Sequence, residues 1–106
     1  MHQNESEIMK TDYQLTIIER IKVLRTYHNE SQAKVAATLG ISIGQVGNIE
    51  TFKASHKYTL GQIYAICNNY KMSVADVFLT AEEKLLPTNE QINKLIQNIV
   101  LYEQSR

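Results

Sequence analysis

The fold of this chain is decided between residues 31 and 50, which read SQAKVAATLGISIGQVGNIE. A helical pattern stops at Gly40, because glycine readily adopts the left-handed conformation that ends a helix. Ser42 then caps a second helical pattern, which carries Val46 and Ile49 on its inner side. Two helices joined by so tight a turn must cross steeply. That geometry lets the first helix lie across a DNA backbone while the second enters the major groove.

The same stretch follows a pattern of paired residues at fixed spacing. The pairs are Ser31-Gln32, Val35-Ala36, Leu39-Gly40, Ile41-Ser42 and Ile49-Glu50, with Val46 between the last two. In this it resembles the helix-turn-helix domains of the Cro and phage-repressor class, also called the Xre family. Further matches fall where that family has its fourth and fifth helices, at Leu60, Ile63, Ile66, Cys67, Met72, Ser73, Val74, Val77 and Phe78. The resemblance covers roughly residues 15 to 79, and the agreement of several spacings makes it specific.

Helical spacing of apolar residues continues through the rest of the chain, and no segment alternates with period two over the length of a strand. Capping boxes, which mark helix starts, are predicted at Ser42 with Gln45, Thr59 with Gln62 and Thr88 with Gln91, and a shorter variant at Ser73 with Asp76. The chain has 106 residues, of which 43% are hydrophobic. We therefore predict an all-α protein. With the resemblance, this implies a five-helix repressor-like helix-turn-helix domain followed by a C-terminal amphipathic helix.

Three regions follow along the chain. Residues 1–12 are polar and unpatterned, so we expect a flexible N-terminal arm. Residues 13–80 form the predicted DNA-binding domain, and residues 81–106 a linker and the C-terminal helix. An apolar stripe runs along that helix through Ile92, Leu95, Ile96, Ile99 and Tyr102. The stripe either packs on its own domain or forms the interface of a homodimer, and the sequence leaves both open.

The resemblance implies which residues meet DNA. Base contacts are expected from the start of the second helix, at Ser42, Ile43, Gln45 and Asn48. An Asn or Gln amide can donate to and accept from adenine at once, and an isoleucine can lie against a thymine methyl. The resemblance also implies a phosphate contact from Gln32, and Lys34 is a further candidate. The loop after the second helix is longer than the usual family link, and its own donors Lys53, Ser55, His56, Lys57 and Tyr58 are expected to contact a phosphate strand. For the loop after the second helix, a solvated segment anchored by Phe52 and Tyr58 is the alternative.

The charge distribution is compatible with a DNA partner. The whole chain carries 11 basic and 11 acidic residues, but residues 15–79 hold seven basic and four acidic ones, a net charge of +3. The basic excess therefore lies in the domain that would meet phosphates, and we expect moderate non-specific binding. Gly44 and Gly47 leave the second helix with few side chains, which argues against strongly specific readout.

The residue pattern offers no catalytic constellation. His2, His28 and His56 are scattered, and no glycine-rich nucleotide loop follows a strand. We expect no enzymatic activity, no cofactor and no metal ion. The single cysteine, Cys67, lies on an apolar helix side and is expected to be a reduced, buried packing residue. A signal peptide and an apolar run of membrane-spanning length are both missing from the pattern, so a cytoplasmic location is expected.

Together these features predict a sequence-specific DNA-binding transcriptional regulator. We expect it to bind double-stranded DNA as a homodimer on a palindromic operator and to repress by occlusion. The alternative is an antitoxin-like protein-interaction module, whose partner is a toxin-like protein and whose DNA binding is secondary or lost. The basic domain favours the first interpretation and the sparse second helix favours the other.

Overall fold

The computed structural model describes residues 10–51 and 55–104. Within these ranges every regular element is helical. The elements are α1 (Asp12–Tyr27), α2 (Gln32–Leu39), α3 (Ile43–Glu50), α4 (Leu60–Asn69), α5 (Ala75–Phe78), a short 3-10 turn (Glu83–Leu85) and α6 (Thr88–Glu103). The prediction of an all-α protein is confirmed for this part of the chain.

Reciprocal capping boxes fix the beginnings of three of the α-helices. At α3, the Gln45 N–H donates to the Ser42 hydroxyl at 3.1 Å, and the Ser42 N–H donates to Gln45 Oε1 at 3.0 Å. The same reciprocal pair joins Thr59 and Gln62 at α4. Both predicted capping boxes are confirmed. A third box, at the start of α1, joins Thr11 and Gln14 and was not predicted.

The capping box predicted for the C-terminal helix is wrong. Pro87 occupies the N-cap of α6 and offers no side-chain acceptor, while Thr88 is already the first helical residue. The Gln91 amide instead donates to the carbonyls of Lys84 and Leu86, at 2.9 and 2.7 Å. The 3-10 turn and Leu86, the residue after it, supply these carbonyls, so the Gln91 amide does not take part in a cap.

The turn between α2 and α3 has the backbone that the sequence predicts. Gly40 ends α2 in the left-handed region, with φ of 70°. The N–H groups of Gly40 and Ile41 donate back to the carbonyls of Ala37 and Ala36, at 3.3 and 3.0 Å. These bonds satisfy carbonyls that a helix end would otherwise leave open. Because Ser42 caps α3 at once, only three residues separate the two helices.

The core gathers the inner sides of all six helices. Its buried apolar members are Ile17, Ile18, Ile21, Val35, Ala36, Val46, Ile49, Tyr58, Ile63, Ile66, Cys67, Val77, Phe78 and Tyr102. Cys67 is 1% exposed and forms no disulfide. Burial raises the pKa of its thiol to about 11, so the thiol stays protonated near neutral pH. The prediction of a buried packing cysteine is confirmed.

The inner side of α6 belongs to the same core. The Tyr102 side chain is fully buried, its hydroxyl donates to the Tyr58 carbonyl at 2.6 Å, and its ring meets Phe78 edge-on at 5.6 Å between centroids. Leu95 and Ile99 pack against the core beside it. The sequence left two alternatives for the apolar stripe, packing on its own domain or dimerisation. The residues Leu95, Ile99 and Tyr102 of the stripe pack on their own domain. Tyr102 cannot line a dimer interface, because no part of its side chain reaches the surface.

The end of the predicted arm is also part of the folded domain. Lys10 is 2% exposed, Thr11 caps α1 and Asp12 is its first residue. A flexible arm reaching to residue 12 is therefore wrong for these three positions, because Lys10 is held by carbonyls at the end of α3. Residues 1–9, the rest of the predicted arm, lie outside the described residues.

We expect the protein to lose stability in alkaline solution. Desolvation raises the pKa of Tyr58 to about 12 and that of Cys67 to about 11, and burial also raises the pKa of Tyr102. Because the unfolded chain releases these protons first, the free energy of unfolding is maintained below pH 9 and falls above it. At pH 11, Cys67 should contribute roughly 2 kcal/mol to the loss and Tyr58 roughly 1 kcal/mol.

Urea unfolding followed by circular dichroism between pH 7 and pH 11 measures this fall. Cys67→Ala should remove the part of the fall in unfolding free energy that begins near the ordinary thiol pKa of 9.0. The part that comes from the buried tyrosines should remain. A stability that stays constant or rises through this range would contradict the assignment.

Candidate nucleic-acid interface

Helix α3 has a buried inner side and an exposed outer side. Val46 and Ile49 are buried in the core. Gly44, Gln45 and Asn48 are exposed and project away from it, as the helical period requires. The exposed side of α3 therefore begins directly after the turn that joins α2 to α3, and a ligand can reach it.

The structure brings the four predicted base-contact residues together at this surface. Ser42 and Ile43 stand at the start of α3, and the Ile43 side chain is 55% exposed. The exposed Asn48 amide makes no hydrogen bond to the described part of the chain, so its donor and its acceptor are both open. An amide in this state has the groups that bidentate pairing with adenine needs.

Gln45 has less freedom, because its side chain takes part in the cap of α3. Its Oε1 atom already accepts the Ser42 N–H, which leaves the Nε2 group as its open donor. While the capping box is intact, Gln45 can donate to a base but cannot pair with adenine bidentately. Of the two amides on α3, Asn48 is therefore the one equipped to read a base.

Three side chains from three helices meet at a buried carboxylate, and we call them the Glu50 network. Arg25 of α1 donates two hydrogen bonds to Glu50, from Nε to Oε2 at 2.8 Å and from Nη2 to Oε1 at 2.9 Å. The Gln32 Nε2 of α2 donates to Oε1 at 2.9 Å. The side chains of Arg25 and Glu50 are only 11% and 4% exposed. The hydrogen bond to Glu50 is the main cause that raises the pKa of Arg25.

The network ties α3 to both preceding helices at its C-terminal end. Bidentate pairing fixes orientation as well as distance. The Glu50 network also limits the phosphate contact predicted for Gln32, because one hydrogen of the Gln32 side-chain amide is donated to Glu50. Its second amide hydrogen and its backbone N–H, at the first position of α2, remain for a phosphate. In the sequence, Glu50 stands out only as a match to the family pattern, and no local pattern singles out Arg25.

A second tie to α3 comes from Lys10. Its ammonium donates to the carbonyls of Thr51 and Asn48, at 2.6 and 3.4 Å. A cation at this end of a helix meets the negative end of the helix dipole. Burial lowers the pKa of Lys10. Sequence reasoning missed this residue because it stands in a polar stretch with no pattern. The only signal is its position just before a capping threonine.

The loop after α3 leaves fewer of the predicted phosphate-contact residues accessible at the surface than the sequence suggests. Ser55 and His56 are exposed and available. Lys57 is half-buried, with its ammonium 3.8 Å from a Glu103 carboxylate oxygen and 5.1 Å from the centre of the Tyr102 ring. Such an exposed ion pair is weak and can exchange for a phosphate. Lys53 lies outside the described residues.

The phosphate contact assigned to Tyr58 is wrong. Its side chain is fully buried, so its phenol cannot reach a ligand at the surface. The reason is local: Tyr58 stands just before the capping residue Thr59, and the residue at that position often packs against the fourth residue of the helix. Here the fourth residue is Ile63, which is equally buried. The sequence alternative, in which Tyr58 anchors the loop, fits the structure.

Lys22 joins the candidate interface although the sequence did not single it out. It lines a surface depression of about 390 Å³, together with Arg25, Gln32, Gly47, Glu50 and Thr51. Since Arg25 is neutralised by Glu50, Lys22 brings the available positive charge to this depression. Lys34 is exposed on α2. The two lysines provide cations beside α3, as backbone contact requires.

We expect Gly47→Ala to raise stability and to lower DNA affinity. A Cβ at this position would lie 3.8 Å from Gln32 Oε1, an ordinary contact distance. The fold therefore accepts the methyl group, and alanine should stabilise the helix by up to about 1 kcal/mol. The same methyl lies beside the depression, so we expect it to keep a DNA strand from close approach. Melting temperature and operator affinity are measured on the same variant.

Asn68→Ala is the matched control for this substitution, since it also improves helix propensity at an exposed position, in α4. It should raise stability and leave DNA binding unchanged. If Gly47→Ala binds as well as the wild type, the glycine is not needed for close approach.

Comparisons of the chain with family models, with curated proteins and with solved structures found no match. Among the described residues, no helix has both the length and the apolar character to cross a membrane. Residues 10–51 and 55–104 also contain no group of three or more side chains placed to hold a metal ion.

Proposed function

We propose that this protein is a sequence-specific DNA-binding transcriptional regulator of the Cro and phage-repressor type. It binds a palindromic operator as a homodimer in the cytoplasm, without a cofactor, and represses by occluding the promoter. The observation that carries the proposal is the outer side of α3, where the open Asn48 amide stands on a helix that only three residues separate from α2.

Each part of the surface has a role in this proposal. Helix α3 enters the major groove, where Asn48 pairs with adenine and Ile43 lies against a thymine methyl. The first turn of α2 meets the DNA backbone through the Gln32 N–H, with Lys34 and Lys22 beside it. Ser55 and His56 contact the backbone further along. These backbone contacts position the helix, and the α3 side chains choose the sequence.

A rigid α3 makes this readout effective. Its inner side is packed in the core, its start is fixed by a capping box, and its end is held by the Glu50 network and by Lys10. A helix fixed at both ends loses little conformational entropy on binding. Two such helices in a dimer read half-sites one helical turn apart, which multiplies the affinity for a palindrome.

The test begins with selection of bound sequences from random duplex DNA. We expect a palindromic motif, bound in preference to scrambled duplex, with affinity that falls as salt rises. Asn48→Ala should then cost about 1–3 kcal/mol on the selected site and relax one base pair in each half-site. Lys34→Ala is the control. It should weaken all sequences alike and reduce the salt dependence by about one counterion.

If Asn48→Ala loses the same affinity for the selected site as for scrambled DNA, Asn48 is a solvent-exposed residue that does not contact the bases. A second candidate function, an antitoxin-like interaction module, is favoured by Gly44 and Gly47, which leave two positions of α3 without side chains. Selection that enriches no motif, with weak binding to every duplex, would contradict the operator and favour this second candidate.

A further inference from the structure

Helix α6 has a second apolar side that faces solvent. Its outer ridge consists of Ile92, Ile96 and Val100, which are 52%, 55% and 51% exposed. The three residues are four positions apart, so they stand one above another along the helix. The ridge extends over about 12 Å, from the rise of 1.5 Å per residue. The inner side of the same helix already belongs to the core, and within residues 10–51 and 55–104 nothing covers this ridge.

We propose that the outer ridge binds the outer ridge of a second copy of this chain, with the two α6 helices antiparallel about a two-fold axis at Ile96. The homodimer of the proposed function would form through this ridge, so the inference rests on that function. It replaces the interface expected from sequence, since it keeps Ile92 and Ile96, adds Val100, and leaves out the inward Leu95, Ile99 and Tyr102.

The symmetry of the ridge favours a second copy as the occupant. A two-fold axis at Ile96 brings that residue against itself and brings Ile92 of one copy against Val100 of the other. Every apolar side chain thereby meets another one, as a self-complementary interface requires. Ridges of residues four apart also pack into the grooves of an identical helix. The polar neighbours Asn93 and Gln97 are uncharged, so no like charges meet at the centre.

Charge selects the antiparallel arrangement. Helical geometry places Glu103 in line with the ridge, at its C-terminal end, and turns Glu90 and Lys94 to other sides of α6. In an antiparallel pair, Glu103 lies near the first turn of the other α6, where the helix dipole is positive. In a parallel pair, the two Glu103 carboxylates would face each other and repel, because the 3.8 Å ion pair that each makes with Lys57 is weak.

The size of the ridge sets the expected strength. Stable interfaces bury about 800 Å² on each partner, and three half-exposed aliphatic side chains with their neighbours offer less. We therefore expect a reversible dimer with a dissociation constant of about 10–100 µM. Operator DNA would bring two copies together and favour the dimer further.

Sedimentation equilibrium without DNA tests the interface, over concentrations of about 5–500 µM that bracket the expected constant. Ile96→Lys should raise the dissociation constant at least tenfold. Val23→Lys is the matched control, because Val23 is an aliphatic residue of α1 with the same 55% exposure. It should dimerise like the wild type. Circular dichroism melting establishes that both variants are folded. A monomeric wild type, or a dimer that survives Ile96→Lys, would overturn the proposal.

Cross-linking with a short bismaleimide tests the orientation. Ile92→Cys and Val100→Cys are treated separately and as an equimolar mixture, and Cys67 does not compete because it is buried. Antiparallel packing gives a cross-linked dimer in the mixture and little in either variant alone. Efficient cross-linking of Ile92→Cys to itself would overturn the antiparallel arrangement. Since neither experiment contains DNA, a failure here is distinct from a failure of operator binding.

Discussion

Replacing Glu50 by alanine is expected to lower the free energy of unfolding by about 3–5 kcal/mol. The substitution leaves the Arg25 guanidinium without its carboxylate at a site where its side chain is only 11% exposed. It also removes the acceptor of the Gln32 amide. An uncompensated buried charge is among the largest single losses a small domain can suffer. Urea unfolding monitored by circular dichroism measures the change.

The double variant Arg25→Met with Glu50→Leu is the control, because it removes both charges and leaves apolar side chains in their place. Replacement of a whole buried pair is often nearly neutral. Its stability should therefore lie much closer to that of the wild type than Glu50→Ala does. A loss below about 1 kcal/mol for Glu50→Ala would show that the network contributes little to the fold.

The double variant also separates stability from function. It is expected to fold, but its α3 lacks the hydrogen bonds of Glu50 to Arg25 of α1 and Gln32 of α2. If the network positions the recognition helix, operator affinity should fall while the unfolding free energy stays near the wild-type value. Unchanged affinity in this variant would limit the role of Glu50 to folding.

Tyr102→Ala is expected to lower the free energy of unfolding by about 3–5 kcal/mol, the usual cost of deleting a large buried aromatic side chain. The ring is fully buried and packs edge-on against Phe78. Its hydroxyl also supplies a 2.6 Å hydrogen bond to the Tyr58 carbonyl. Thermal and urea unfolding measure the loss. This result would show that the C-terminal helix is part of the domain core.

Tyr102→Phe separates the two contributions. The phenylalanine keeps the ring packing and leaves the Tyr58 carbonyl without its donor, so the loss should be about 1–3 kcal/mol. A stable domain typically has about 5–15 kcal/mol in total, so the alanine variant should be only marginally folded. If both variants remain as stable as the wild type, α6 does not depend on this contact.

Much of the fold could be predicted from the sequence alone. The left-handed Gly40, the capping boxes at Ser42 and Thr59 and the inner positions Val46 and Ile49 are all as expected. The exposure of Ile43 and Asn48 follows from the same helical period. These features depend on residues within one or two turns of each other. Local hydrogen bonding and a period of 3.6 residues are therefore enough to determine them.

The rest was decided by how the helices pack. Lys10 binds carbonyls 38 and 41 positions away, Arg25 binds a carboxylate 25 positions away, and Tyr102 binds a carbonyl 44 positions away. The apolar stripe of α6 is continuous in the sequence, yet packing divides it into a buried inner side and an exposed outer ridge. A helical period tells which residues share a side, but not which neighbour covers it. That choice depends on the shape and polar partners of distant elements, which only the tertiary structure brings together.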